Sequence, residues 1–199
     1  TAKTIKYGFN EGNDYQIKNV QTTSEHSKFD VYKNSELLGT FTMAVFGLHD
    51  ISNATSAIAL ADINGISVEK IQESLDQYKP AERRFSEHKI GNNVIVDDYA
   101  HHPSEIKATI DSARRKYEGK EVIAIFQPHT YTRTAKFLNE FAESLETADK
   151  VFLCPIFASG REKEKIVGIE DLQKVTRDAQ IINSENDFDK LNFDNSVFL

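Results

Sequence analysis

The stretch Val94-Ile95-Val96-Asp97-Asp98-Tyr99-Ala100-His101-His102-Pro103-Ser104-Glu105 constrains the fold more than any other. Three β-branched residues end in two acids, two histidines follow, and a proline opens the next segment. An uninterrupted apolar run of this kind suits a strand covered on both faces. Pro103 suits the first position of a helix, where its missing N–H would have had no partner anyway. Ile106, Ile110, Ala113 and Tyr117 then repeat at helical spacing. Arg114, Arg115, Lys116 and Gly119 suit a helix C-terminus. The polar cluster therefore falls on a strand-to-helix turn, which is where open α/β sheets place their ligands.

Similar turns recur downstream. Val122 to Phe126 runs into Gln127-Pro128-His129-Thr130-Tyr131-Thr132-Arg133-Thr134, followed by one helix with Phe137, Phe141 and Leu145 on a single face. Val151 to Leu153 runs into Pro155, then Phe157 to Glu162. Alternating strands and helices imply parallel strands, and parallel strands would open all three polar loops on one edge of the sheet.

The first part of the chain has a different rhythm. A strand is expected over 3–8, ending at Gly8. Strands at Tyr15–Thr23, Lys28–Lys33 and Leu37–Ala44 read as an antiparallel meander with a turn at Asn34-Ser35. A helix over 50–64 buries Ile51, Ala54, Ile58 and Ala61, and Asn64-Gly65 ends it. Ser67 caps a second helix carrying Ile71, Leu75 and Tyr78, which Pro80 stops. The junction between the two rhythms is Lys79 to Phe85, and a hairpin (85–90, turn 91–93, 94–97) opens the second. After it come a helix at 169–177, a strand at 179–182 and a short helix at 185–191. Ser196 to Leu199 reads as the middle of a strand, so the natural polypeptide is expected to continue. The fold class is thus α/β, with antiparallel strands and two helices ahead of a part in which strands and helices alternate.

Charge and composition narrow the partners. The net charge is −7, and no block of Lys and Arg forms the basic footprint that nucleic acid or a membrane surface would require. No apolar run approaches the roughly 20 residues of a membrane helix, and the opening residues do not read as a signal peptide. One cysteine, Cys154, excludes an internal disulfide and fits a cytoplasmic setting.

Each candidate constellation has a bland reading beside the functional one. Asp97 and Asp98 suit acid–base work or a cation, and acids at strand ends in such sheets also hold ribose hydroxyls. Alternatively, Asp98 accepts bonds from the N–H groups of the next turn. His101 and His102 are adjacent and cannot share a metal comfortably, although His101, His129 and an acid would offer one. For His102 a helix N-cap or a surface residue is preferred. Arg133, with His129 on the same turn, would clamp a carboxylate, since a cation at a helix start is otherwise disfavoured. Arg83-Arg84 would reach phosphates or form a solvated face. His49 opens a helix as a ligand contact or as a packed residue. No Walker A or GxGxxG glycine loop occurs.

Taken together, DDYAHHPSEI, QPHTYTRT, the upstream ERRF and the helix-opening GLHDISN resemble the Mur ligases, in the family's order and over essentially all 199 residues. The resemblance implies residues 1–84 as the end of a central ATP-binding domain and 85–199 as most of a Rossmann-like C-terminal domain. The Walker A loop, the magnesium ligands and the UDP-sugar domain would precede Thr1, and a last strand with a Gly-rich finish would follow Leu199. It implies cytoplasmic, ATP- and Mg2+-dependent amide formation in peptidoglycan synthesis, joining L-alanine to UDP-N-acetylmuramate through an acyl phosphate. The isolated chain would be inactive. A tripeptide-recycling type resembles the chain too, but usually has Phe where Tyr99 stands. Carried over residue by residue, His49 and Asn53 match positions near adenine, Arg84 the phosphates, and Asp98 the ribose. His101, His129 and Arg133 match positions around the incoming alanine, with His101 and Arg133 in the catalytic places. Asp50 stands where the family usually has Asn, and Thr130 where it often has a second Arg. Ala158 to Glu162 departs from the commoner Ala-Ala-Gly-Glu. The rival readings are a non-catalytic nucleotide-binding module and a metal-dependent hydrolase built on Asp97, Asp98, His101 and His129.

Overall fold

A computed structural model of the chain describes residues 4–23, 25–79, 83–158, 160, 162 and 164–199. Pro80, expected to stop the second helix, lies outside them, as do Ala81 and Glu82 of the expected junction and Ser159 and Arg161 of the 158–162 loop. The chain forms two compact units, Thr1–Ala81 and Glu82–Leu199.

In the first unit, β1 (Tyr7–Gly8), β2 (Tyr15–Thr22), β3 (Ser27–Lys33) and β4 (Glu36–Met43) lie side by side in that order. β2, β3 and β4 form the expected meander. Of the strand expected over 3–8, the described residues form strand at Tyr7–Gly8, and it runs parallel to β2. Asn34 and Ser35 take φ of 49° and 74°, the left-handed pair that a two-residue hairpin turn requires. Side chains alternate, so Tyr15, Ile17, Phe29, Val31, Phe41 and Met43 share one buried face. Against them pack α1 (Leu48–Ile63), through Ile51, Ala54 and Ile58, and α2 (Val68–Asp76), through Ile71. α1 closes as a Schellman motif: Gly65, at φ 76°, donates to the Asp62 carbonyl and Ile66 to that of Ala61. Ser67 stands at the N-cap of α2 but makes no side-chain cap bond, and Tyr78 lies past the helix end, 45% exposed.

The second unit carries a six-stranded sheet. Its members in chain order are β5 (Ser86–Ile90), β6 (Asn93–Asp97), α3 (Pro103–Lys116), β7 (Glu121–Phe126), α4 (Tyr131–Lys136), α5 (Leu138–Leu145), β8 (Lys150–Leu153), α6 (Ile169–Val175) and β9 (Gln180–Ile181). A 3₁₀ helix (Glu185–Leu191) and β10 (Ser196–Phe198) complete it. The strand order is β5-β6-β10-β7-β8-β9, with β5 antiparallel and the rest parallel. β10 slots between β6 and β7, so Val197 sits opposite both Val94 and Val122. Val94 and Val96 join Ile106, Ile110, Val122, Ala124, Phe141 and Leu145 in the main core. β6 is not covered on both faces as its apolar run suggested. Ile95 is 39% exposed, because the apolar cluster on the other face centres on Ile123, Phe152 and Ile182, away from β6. The helix expected after the second turn is two helices, broken at Phe137 (φ −115°, ψ 29°), whose ring meets His102 and Phe141 edge-on.

Candidate functional site

The parallel strands bring their following loops to one edge, and there the second unit holds a cavity of about 490 Å³. Asp97, Asp98, Tyr99, His101, His129 and Phe157 line it on the polar side, and Val96, Ala124, Phe126 and Leu145 form its apolar wall. Five residues singled out in the sequence, Arg83, Asp97, Asp98, His101 and His129, therefore meet around one space. Arg84 and Arg133 belong to the same unit but are not among the lining residues.

The β6–α3 turn is tightly specified. Asp98 Oδ2 accepts from the Phe85 N–H at 2.9 Å and Oδ1 from the Ala100 N–H at 2.8 Å, so the bland reading of this acid describes a real contact. Each oxygen retains a lone pair for a further donor. Asp98 thereby fixes the segment carrying Arg84, which is exposed and flanked by left-handed φ at Arg83 (57°) and Phe85 (54°). Arg83 pairs with Asp97 at 3.3 Å and lies 5.3 Å over the Tyr99 ring.

His101 Nδ1 stands 3.0 Å from the Tyr99 carbonyl oxygen and 3.4 Å from a Glu105 oxygen. Both neighbours only accept, so in the neutral ring the proton sits on Nδ1 and the lone pair on Nε2. His102 does the opposite: its Nδ1 accepts from the Ser104 N–H at 3.3 Å, completing the expected N-cap.

The sequence reading missed Glu105. One of its oxygens accepts from the N–H groups of both His101 (3.0 Å) and His102 (3.1 Å), closing a capping box on α3. Burial pushes this carboxyl up. The His101 N–H, the His101 ring, the His102 N–H and the Arg84 charge more than offset that, and hold it below the ordinary range. The signal was present, since a Glu three residues after a cap is the capping-box spacing.

On the neighbouring loop, His129 stacks on Phe157 with ring centroids 5.6 Å apart, and the two residues form a parallel bridge. Arg133 lies in the first turn of α4, partly buried, and among the described residues its guanidinium has no hydrogen-bond or ion-pair partner. Glu162 also escaped notice: it accepts from the Tyr131 N–H (2.7 Å), the Thr132 N–H (2.9 Å) and the Thr132 hydroxyl (2.8 Å). Nothing local could have revealed a contact 31 residues away.

His49 and Asn53 stand on the first unit, one turn apart and exposed at the start of α1. His49 Nε2 is 3.3 Å from Asp50 Oδ1, and a Cβ at Gly47 would run into the His49 imidazole. Glycine at the N-cap leaves that ring its room. Among the described residues, no group of three or more His, Cys, Asp or Glu could hold a metal ion. No helix among them is long and apolar enough to cross a membrane.

Residues 83–190 match the family described as "Mur ligase, glutamate ligase domain", and residues 1–61 the "Mur ligase middle domain". Among solved structures, UDP-N-acetylmuramate-alanine ligase MurC from Thermotoga maritima is 27% identical with a TM-score of 0.78, covering 98% of this chain and 43% of that one. The MurF ligase of Thermotoga maritima in complex with ADP is 18% identical (TM-score 0.69, 97% of this chain and 43% of that one). A murein peptide ligase from Psychrobacter arcticus is 23% identical (TM-score 0.62, 97% and 42%). The latter two show the fold alone, and the chain spans less than half the length of each of the three. With more than half its residues inside one family match, and a second match ahead of it, the chain belongs to the Mur ligase family.

Proposed function

We propose that these residues serve in an ATP-dependent ligase that joins L-alanine to UDP-N-acetylmuramate, the MurC activity. On this reading residues 1–84 contribute the end of the ATP-binding middle domain, and 85–199 the C-terminal domain that receives the amino acid. The observation that carries the proposal is the cavity at the strand ends, where Asp98, His101 and His129 converge ahead of Arg133, whose guanidinium has no partner among the described residues. The 27% identity to MurC across 98% of the chain supports the choice of amino acid over the other ligases.

In the proposed reaction the sugar carboxylate attacks the γ-phosphorus of ATP, the bond to the β-phosphate oxygen breaks, and ADP leaves. The alanine amine then attacks the acyl phosphate carbonyl, inorganic phosphate leaves, and the nitrogen gives up a proton. Arg133 suits the alanine carboxylate, because a guanidinium matches two oxygens at once. In its neutral form His101 offers the lone pair of Nε2 to the amine, its other nitrogen being tied to the Tyr99 carbonyl. Asp98 suits ribose hydroxyls through its remaining lone pairs, Arg84 suits phosphate, and His49 and Asn53 suit adenine. Positioning and charge complementarity are the main means by which such sites act on phosphoryl and acyl groups.

The test is phosphate release by the complete ligase carrying this chain, with ATP, magnesium and UDP-N-acetylmuramate, adding L-alanine or a tripeptide in turn. Release that depends on L-alanine is expected. Dependence on tripeptide alone would assign the chain to the recycling ligases instead, and release with neither acceptor would overturn the ligase reading.

A further inference from the structure

Thr130 has φ 74° and ψ 137°. For a β-branched residue this is a strained backbone, and such outliers persist only where the surroundings impose them. It sits in the turn between His129 and Arg133 and caps α4 itself, its Oγ1 accepting from the Arg133 N–H at 3.4 Å and its carbonyl from the Thr134 N–H at 3.2 Å. Its further restraints come from one neighbouring segment. The Thr130 N–H donates to the Phe157 carbonyl at 3.0 Å, and the Phe157 N–H donates to the Pro128 carbonyl at 2.8 Å. Five residues beyond Phe157, both Glu162 oxygens are engaged: Oε2 with the Tyr131 N–H, and Oε1 with the Thr132 N–H and hydroxyl. The strained residue is held on both sides, by backbone bonds before it and by a carboxylate after it.

We propose that Glu162 is a positioning residue, clamping the turn in this strained form so that His129 and Arg133 are presented together to the incoming amino acid. The inference rests on the preceding reading of that turn as the amino-acid site. The Tyr131 and Thr132 N–H groups are the first of α4 and have no intrahelical partner, so Glu162 caps the helix that carries Arg133 while Phe157 holds His129 by stacking and a bridge. Glu162 touches the nucleotide-side residues Asp98 and Arg84 through no described contact, so its loss should be felt on one substrate and not the other.

The clamp is tested by comparing Glu162→Ala, Glu162→Gln and Arg133→Ala in the complete ligase, measuring KM for the amino acid and for ATP separately. Glu162→Ala should raise the amino-acid KM on the order of tenfold or more, with the ATP KM changed less than about twofold. Glu162→Gln keeps one oxygen acceptor and should fall between. In parallel, amide hydrogen exchange should show Tyr131 and Thr132 losing protection in the alanine variant. A rise for Arg133→Ala with none for Glu162→Ala would overturn the clamp and leave the site reading standing. A rise for neither would overturn both. Equal losses on amino acid and ATP with a lowered melting temperature would reduce Glu162 to a structural strap, and also overturn the clamp.

Discussion

The carbonyl oxygen of Tyr99 faces Nδ1 of His101 at 3.0 Å, while in the next residue Nδ1 of His102 faces the N–H of Ser104. A carbonyl only accepts and an amide N–H only donates, so two adjacent histidines are driven to opposite tautomers. His101 should carry its proton on Nδ1 and His102 on Nε2 when neutral. Nitrogen chemical shifts of the two rings would read this directly. Finding the same tautomer in both would mean that the turn is not as described, and would remove the free lone pair proposed for His101.

Glu105 supports both histidines, and its carboxyl is held below the ordinary glutamate range. A carboxyl depressed in the folded state adds stability that is present above its unfolded pKa of about 4.3, and lost as pH falls through the folded value. Glu105→Ala should therefore cost about 1 kcal/mol near neutrality, the usual effect of losing a helix cap. The difference from the parent chain should shrink below about pH 4. Urea denaturation at pH 7 and pH 3.5 would check both parts, and a cost unchanged by acid would refute the charged cap.

The outline of this site was legible because the strand-to-helix turns announce themselves. Val94–Val96 before Asp97, and Pro103 before a helical repeat, are local signals that survive in any context. The meander turn at Asn34-Ser35 and the stop at Gly65 are equally local, each needing left-handed backbone. What could not be read was set by distant partners. Ile95 looks buried by composition, yet it is 39% exposed, because the apolar cluster of that face centres on Ile123, Phe152 and Ile182. The Phe137, Phe141 and Leu145 spacing predicts one helix, but the backbone leaves helical dihedrals at Phe137, where the ring packs against His102 from another turn. Glu162 is invisible for the same reason, being defined by residues 30 and 31 positions away.

Phe141 anchors the second unit's core. It is 1% exposed and its ring centroid lies 5.1 Å from that of Phe126, at the apolar wall of the cavity. Phe141→Ala should destabilise this unit by about 3–5 kcal/mol, the transfer loss plus the void it leaves. Phe141→Leu, which keeps most of the volume, should cost less than half of that. Chemical denaturation followed by probes within 83–199 would measure both. A loss under about 1 kcal/mol for the alanine variant would show that the helix collapses onto Phe126 without penalty.

Arg133 is the sharpest probe of the amino-acid site, because it is partly buried on the short helix α4 and its guanidinium has no described partner. If it holds a carboxylate through both nitrogens of its fork, charge alone will not replace it. Arg133→Lys should then lose most of what Arg133→Ala loses, raising the amino-acid KM by about tenfold or more, with the ATP KM little changed. Steady-state kinetics of the complete ligase with each substrate varied in turn supplies the comparison. Full activity in the lysine variant would argue for simple charge steering. An equal rise in both KM values would place Arg133 in the scaffold shared by the two substrates, and the carboxylate contact would have to be sought on another residue of the loop.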